Sequence, residues 1–288
     1  MRERLADLLF HWLAGRSLRT LHRLGEALGW LLFTLPTDAR RTTDDNLQRC
    51  LPELTPAQRA HLARRSLAES AKAVLEMGLL WTLPRERFEA LIREQIGTED
   101  LRAELTSGRG VIIASPHLGA WEVCGLYCSM LSPMTSLYRA PKIASLGKWA
   151  RRGRERFGAQ LVPIDTGGVR ALLSTLKHHH LVGILPDQDA GRDGSVFAPF
   201  FGVPASTMTL LSRLAHKTGC AVFLICAERL PRGDGFRIHC RRADSAVSDA
   251  SLETAVATLN REVEALIRIV PEQYLWSYKR FKTAPPLQ

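Results

Sequence analysis

The sequence has no long apolar run. Where leucines are densest, between Arg2 and Phe33, the longest charge-free stretch runs only from Ala27 to Thr37. A spanning helix needs roughly 20 apolar residues, so no transmembrane helix is expected here. Charges inside that segment, with no cleavage pattern after it, also argue against a secretory signal and for retention in the cytoplasm. The six cysteines, at 50, 124, 128, 220, 226 and 240, form no Cys-x-x-Cys pair. Cys124 and Cys128 have no histidine pair beside them, so no metal site is expected and the thiols read as reduced core residues. The run His178-His179-His180 reads as a solvated helix end. Zinc-finger spacing, an aromatic-rich RNA motif and an isolated basic tail are all missing, which counts against nucleic acid as a partner. There is neither an internal repeat nor a low-complexity tract. Carboxylates are in short supply: 29 Asp and Glu against 39 Lys and Arg leave a formal charge of +10. That surplus favours acidic partners such as an anionic lipid surface, a phosphorylated substrate or an acidic carrier protein.

What is present begins with Gly110-Val111-Ile112-Ile113-Ala114-Ser115, short, β-branched and closed by Pro116. It reads as a buried strand that delivers His117 to its carboxyl end, where ligands bind in open α/β sheets. Histidine is suited to removing a hydroxyl proton near neutral pH, and a carboxylate on its other ring nitrogen fixes the tautomer. Glu122, five residues on, is the candidate carboxylate. Within one helix the two would lie on separated faces. The spacing therefore predicts His117 in the turn before a helix and Glu122 about one turn inside it.

Further blocks follow. Leu137-Tyr138-Arg139 ends another expected strand, and Lys142, Arg151, Arg152 and Arg156 lie around an expected helix before Phe157-Gly158. Gly183-Ile184-Leu185-Pro186-Asp187-Gln188-Asp189 is followed by Val196-Phe197-Ala198-Pro199-Phe200-Phe201-Gly202, Pro204-Ala205 and Thr207, and the chain closes with Pro271-Glu272-Gln273-Tyr274-Leu275-Trp276 and Arg280-Phe281-Lys282. The His-x-x-x-x-Glu arrangement after a buried strand resembles the first motif of the lysophospholipid acyltransferase superfamily. His117-Leu118-Gly119-Ala120-Trp121-Glu122 and the later blocks, in order from about residue 110 to the end, resemble its branch of late lipid A acyltransferases. Ala120 stands where many members carry asparagine, and Tyr278 where histidine is common.

The resemblance implies a membrane-associated O-acyltransferase moving a fatty acyl chain from an acyl thioester, with acyl carrier protein as the first donor and acyl-coenzyme A as the alternative, to a hydroxyl of a lipid A precursor. A glycerolipid, aminolipid or other glycolipid acceptor is the runner-up, and an inactive relative that binds membrane or carrier is the non-enzymatic alternative. His117 and Glu122 are the expected catalytic pair. Arg139 and Arg156, with the forked guanidinium that grips phosphate, are expected to bind substrate, as are Asp187 and Asp189. Phe200, with Gly202 beside it, is expected to line an acyl channel, against a competing reading as ordinary core. No cofactor is implied.

The fold class expected is α/β: a largely parallel central sheet flanked by helices, with an amphipathic helical region at the amino terminus (residues 1–36) and the acyltransferase domain after it (residues 37–288). Strands are expected near 110–115, 134–138, 160–164, 181–185, 221–227 and 235–240. Helices are expected over Asp38 to Arg49, over Pro56 to Trp81 opened by Thr55, and over Glu253 to Arg268. Leu5, Leu8, Leu9, Trp12 and Leu13 and the later leucines recur at helical intervals with arginines between them. That stripe either packs on the protein's own core or inserts into the cytoplasmic face of the inner membrane as a peripheral anchor.

Overall fold

The computed structural model describes residues 2–141 and 143–285. The chain runs α1 (Arg2–Ala14), α2 (Leu18–Thr34), α3 (Asp38–Cys50), α4 (Pro56–Leu80), α5 (Arg85–Glu89), β1 (Ile92–Ile96), α6 (Thr98–Thr106), β2 (Val111–Ala114), α7 (Trp121–Leu131) and β3 (Met134–Tyr138). It continues through α8 (Ala144–Glu155), β4 (Ala159–Pro163), α9 (Thr166–Lys177), β5 (Leu181–Ile184), β6 (Ser195–Phe200), β7 (Val203–Met208), α10 (Leu210–Thr218), β8 (Ala221–Arg229), β9 (Phe236–Arg242) and α11 (Leu252–Ile267).

Seven strands form one sheet in the order β1-β9-β8-β2-β5-β3-β4. Every neighbouring pair is parallel except β8 and β9, which are antiparallel. β2 is the middle strand and all four of its residues are buried, as a strand covered by helices on both faces must be. Its even residues Ile112 and Ala114 join one core with Leu172, Leu214 and Leu259, while Val111 and Ile113 join the other with Leu80, Leu101 and Val123. The alternation of side chains along the strand thus divides the interior into two layers. Cys50, Cys124, Cys128, Cys226 and Cys240 are buried free thiols. Burial pushes Cys50, Cys124 and Cys240 up to about 12, so they pack as small apolar residues.

α4 starts as its sequence requires. Thr55 Oγ1 accepts the Gln58 amide, Gln58 Oε1 accepts the Thr55 amide, and Pro56 fills the first helical position. The expected amphipathic stretch from Arg2 to Phe33 is two helices rather than one. Ser17 caps α2 by accepting the Thr20 amide, and the chain turns at Gly15–Arg16. α2 then lies close on α4, because a Cβ at Gly25 would meet Lys72 Cγ at 2.4 Å and one at Gly29 would meet Ala68 Cα at 2.2 Å. Small residues let helix backbones approach this closely.

One side of the amino-terminal pair belongs to the protein core: Phe10, Leu13, Leu18 and Leu21 are buried, with Phe10 stacked between Trp81 and Trp149. The other side is bare. Leu5, Leu8, Leu9 and Trp12, spaced i, i+3, i+4 and i+7 on α1, are 46–69% exposed, and Leu24, Leu28 and Leu31 form a second exposed row on α2. No helix among the described residues is long and apolar enough to cross a membrane.

Strands β1, β6 and β7 lie outside the expected set. β1 is an edge strand of alternating charge, Ile-Arg-Glu-Gln-Ile, held in parallel register by β9. The Val196–Phe201 stretch lies in the β6–β7 hairpin. Its two-residue loop is Phe201 at φ 50° and Gly202 at φ 76°, the double positive φ of a type I′ turn.

Candidate active site

The backbone between β2 and α7 is held from several directions. The His117 amide donates to Asp187 Oδ2 at 2.9 Å, and the His117 carbonyl accepts the Leu275 amide at 3.0 Å. The Gly119 amide donates to the Gln273 carbonyl at 3.0 Å and the Ala120 amide to the Ala227 carbonyl at 2.8 Å. Gly119 sits at φ 60°, with the Ala227 carbonyl oxygen 2.1 Å from where a Cβ would stand, so only glycine makes this turn. The Pro271–Trp276 segment is therefore a strap against the His117 turn. It is itself fixed to the helices: Ser66 Oγ donates to the Tyr274 carbonyl at 3.0 Å, and Asn46 Nδ2 to the Trp276 carbonyl at 2.7 Å.

His117 lies in the turn before α7, where its spacing predicts it, but its carboxylate is a different one. His117 Nδ1 is 2.9 Å from Asp187 Oδ1, on the segment leaving β5, the strand beside β2. With Asp187 taking the Nδ1 proton, Nε2 keeps its lone pair, and Gln188 Nε2 donates to it at 3.2 Å. The imidazole is 15% exposed, and the Trp121 ring lies 5.1 Å from it centroid to centroid. Burial alone would raise the Asp187 carboxyl. The charge the His117 ring carries when protonated, with the bonds from its ring and backbone, outweighs burial and holds Asp187 below the usual aspartate value. Beside it, burial and the Asp187 charge together keep the Tyr274 phenol well above its ordinary range.

Glu122 corrects the expected pairing. Its carboxylate accepts Trp81 Nε1 at 2.9 Å and Arg154 Nε at 2.9 Å, and pairs with Arg154 Nη2 through its other oxygen. No hydrogen bond joins it to His117 among the described residues. The physical reason is competition: a guanidinium with two parallel donors and an indole N–H satisfy this buried carboxylate more completely than one imidazole could. Gly153 allows the approach, since a Cβ there would lie 2.3 Å from Trp81 Cβ.

The other expected site residues scatter. Arg139 follows β3 and is exposed, with no carboxylate partner among the described residues. Arg156 lies over the Phe157 ring at 4.8 Å, which packs on Phe88; Arg154, two residues earlier, reaches Glu122. Lys142 lies outside the described residues. Asp189 is a clamp for the carboxyl-terminal segment, accepting the Thr283 amide at 3.0 Å, its hydroxyl at 2.8 Å and the Gly191 amide at 2.9 Å. Phe200 is 1% exposed against Phe201, Tyr274 and Phe281, so it is core, and Gly202 serves the hairpin loop. Phe201 does face an apolar cavity of about 600 Å³, which it lines with Leu54, Leu62, Ile267 and Trp276.

Sequence reading missed Arg154, Gln188 and Trp81. Gln188 had a signal, since it directly follows Asp187, just after a strand beside the one that leads to His117. Arg154 is one of four arginines in six residues, and spacing alone does not single it out. No group of three or more His, Cys, Asp or Glu able to hold a metal occurs among the described residues.

The chain matches the family described as bacterial lipid A biosynthesis acyltransferase over residues 11–283. It is 29% identical over 269 residues to the lipid A biosynthesis lauroyltransferase of Escherichia coli (strain K12), covering 92% of this chain and 86% of that protein. The palmitoleoyltransferase of the same organism is 31% identical over 246 residues, covering 83% and 78%. Its lipid A biosynthesis myristoyltransferase is 26% identical over 275 residues, covering 92% and 81%.

Proposed function

We propose, because the chain belongs to the family of bacterial lipid A biosynthesis acyltransferases, that it moves a fatty acyl chain from an acyl thioester of acyl carrier protein to a hydroxyl of a lipid A precursor. That it is an acyltransferase follows from the family; donor, acceptor and mechanism are our reading. The observation that carries it is the 2.9 Å contact of His117 Nδ1 with an ionised, buried Asp187 at the carboxyl edge of the middle strands.

In this reading Asp187 fixes the tautomer and supports the imidazolium, and Nε2 takes the proton of the acceptor hydroxyl as Gln188 gives way to it. The alkoxide attacks the thioester carbonyl, the tetrahedral adduct collapses, and the carrier thiolate leaves and takes up the proton held by His117. No acyl-enzyme is needed. The amides of Trp121 and Glu122, which open α7 and have no hydrogen-bond acceptor among the described residues, are assigned to the developing oxyanion. Glu122 and Arg154 hold the α7 start against α8, so Glu122 positions rather than deprotonates. The net charge of +10 suits an acidic carrier. The exposed apolar rows of α1 and α2 support a peripheral seat on the cytoplasmic face of the inner membrane.

Mass spectrometry of lipids from cells lacking the protein tests the acceptor. Lipid A short of one acyl chain, restored by the wild-type chain, is the expected result. Unchanged lipid A with the loss of an acyl chain from a glycerolipid, aminolipid or other glycolipid would replace the acceptor named here.

A further inference from the structure

Apart from the apolar cavity at Phe201, the molecule has a polar concavity. It measures about 620 Å³ and lies between α2, α4, the β8–β9 connection and the Pro271–Gln273 segment. Its floor is an ion network, buried except at Glu26. Arg229 donates to Glu76 and Glu69, Lys72 to Glu69 and Glu26, and His22 Nε2 lies 3.2 Å from Glu76. These charges are all spent on one another.

The rim differs. Arg23, Arg65 and Arg232 line the concavity, are exposed, and have no carboxylate partner among the described residues; of the lining carboxylates, Glu272 alone lacks a cationic partner there. The rim thus carries a cationic surplus around a hollow. One of these arginines is held there at a cost in backbone strain. Arg232 adopts φ 59°, rare for a residue with a side chain, and its carbonyl is fixed by Arg19 Nε at 3.2 Å while Arg19 Nη2 pairs with Asp234 at 3.1 Å. Gly233, at φ 70°, presses the connection onto α2 so closely that a Cβ would lie 2.6 Å from Arg19 Cα.

Two adjacencies indicate what the hollow receives. Gln273 lines it, and the same residue's carbonyl holds the Gly119 amide, two residues past His117. Arg19 and Arg23 share α2 with the exposed Leu24, Leu28 and Leu31. A ligand seated here therefore meets both the segment that holds the Gly119 amide and the helix that presents apolar side chains to solvent.

From this we infer that the concavity binds the phosphate of a lipid head group, gripped by Arg23, Arg65 and Arg232. A guanidinium meets phosphate through two parallel donors, and three such forks lining one hollow suit a phosphate monoester better than a neutral sugar. The phosphate comes either from the acceptor lipid, which deepens and rests on the function proposed above, or from a bilayer phospholipid, which does not depend on it.

The test is the triple variant Arg23→Gln, Arg65→Gln, Arg232→Gln, beside a control variant, Arg87→Gln with Arg170→Gln, that removes exposed arginines elsewhere. Thermal unfolding first checks that both are folded. Initial rates are measured with a phosphorylated lipid A precursor and with the same lipid after phosphatase treatment. Sedimentation is measured with phosphatidylcholine vesicles containing or lacking phosphatidic acid. If the acceptor supplies the phosphate, the triple variant shows a 10- to 100-fold higher KM for the phosphorylated acceptor with kcat retained, and wild type and variant match on the dephosphorylated one. If a bilayer lipid supplies it, KM holds while sedimentation with phosphatidic acid vesicles drops and the control variant still sediments. Wild-type behaviour of the triple variant in both arms, or equal losses in the control, overturns the inference. Absence of any transfer by the wild-type protein would count against the proposed function alone, since the vesicle arm still reads the concavity.

Discussion

Replacing Asp187 with asparagine keeps the size of the side chain and removes one acceptor. In the native site its two oxygens take the backbone amide and the Nδ1 proton of His117, both at 2.9 Å. Asparagine has one oxygen. If that oxygen stays on the backbone amide, its NH₂ faces Nδ1, which must then accept, and the ring proton moves to Nε2. The nitrogen that should take the acceptor's proton would then already carry one. The same exchange in the serine-protease triad lowers kcat about 10⁴-fold, and at 1.36 kcal/mol per decade that is about 5 kcal/mol of transition-state stabilisation. The expected result for Asp187→Asn is a loss of 10³- to 10⁴-fold in kcat with KM little changed, read by mass spectrometry of the acylated lipid. Nitrogen-15 NMR of the histidines should show Nδ1–H at residue 117 in the wild type and Nε2–H in the variant. A variant within tenfold of the wild-type kcat, still holding its Nδ1 proton, would refute the reasoning.

The ion pair of Glu122 and Arg154 predicts a loss of stability. Removing one partner of a fully buried pair costs about 3–5 kcal/mol; with the Arg154 side chain 33% exposed, Glu122→Gln should cost about 2 kcal/mol. That lowers Tm by about 4–8 °C in calorimetry, and an unchanged Tm would contradict the clamp. Gly29→Leu should destabilise by about 1–3 kcal/mol in urea unfolding, because α4 leaves no room for a side chain; a neutral effect would mean that α2 and α4 do not pack as described. Stability should fall on acidification. For Glu76 burial raises the carboxyl, but Arg229 and His22 more than reverse this, and Asp187 is likewise depressed by His117. Groups depressed in the folded state stabilise it above their ordinary values of 4.5 and 3.8, and that contribution disappears as pH falls through their folded values. Unfolding free energies should therefore drop below pH about 4, and Asp187→Asn should flatten part of the slope.

The strand before His117 and the helix after it were legible because β-branched burial, Pro116 and the apolar run of α7 agree locally. The partner of His117 was not. Sequence spacing favours a carboxylate five residues away, whereas Asp187 arrives 70 residues later by the pairing of β5 with β2. Nothing local records which strands become neighbours. Phe200 and Gly202 show the same limit. An apolar run ending in glycine suits a channel wall as well as a hairpin, and only the register of Phe200 with Val203 makes Phe201-Gly202 a turn. At the amino terminus the leucine periodicity was clear, yet the division at Ser17 and the burial of only one side depend on Trp81, Trp149 and α4, which the periodicity does not contain.

The most direct measurement compares purified wild-type protein with His117→Ala, each given acyl carrier protein thioester and a lipid A precursor. Imidazole-dependent ester formation predicts transfer by the wild type and a loss of at least 10³-fold in the variant, which circular dichroism shows to be folded at the assay temperature. Comparable rates from the two proteins would contradict it.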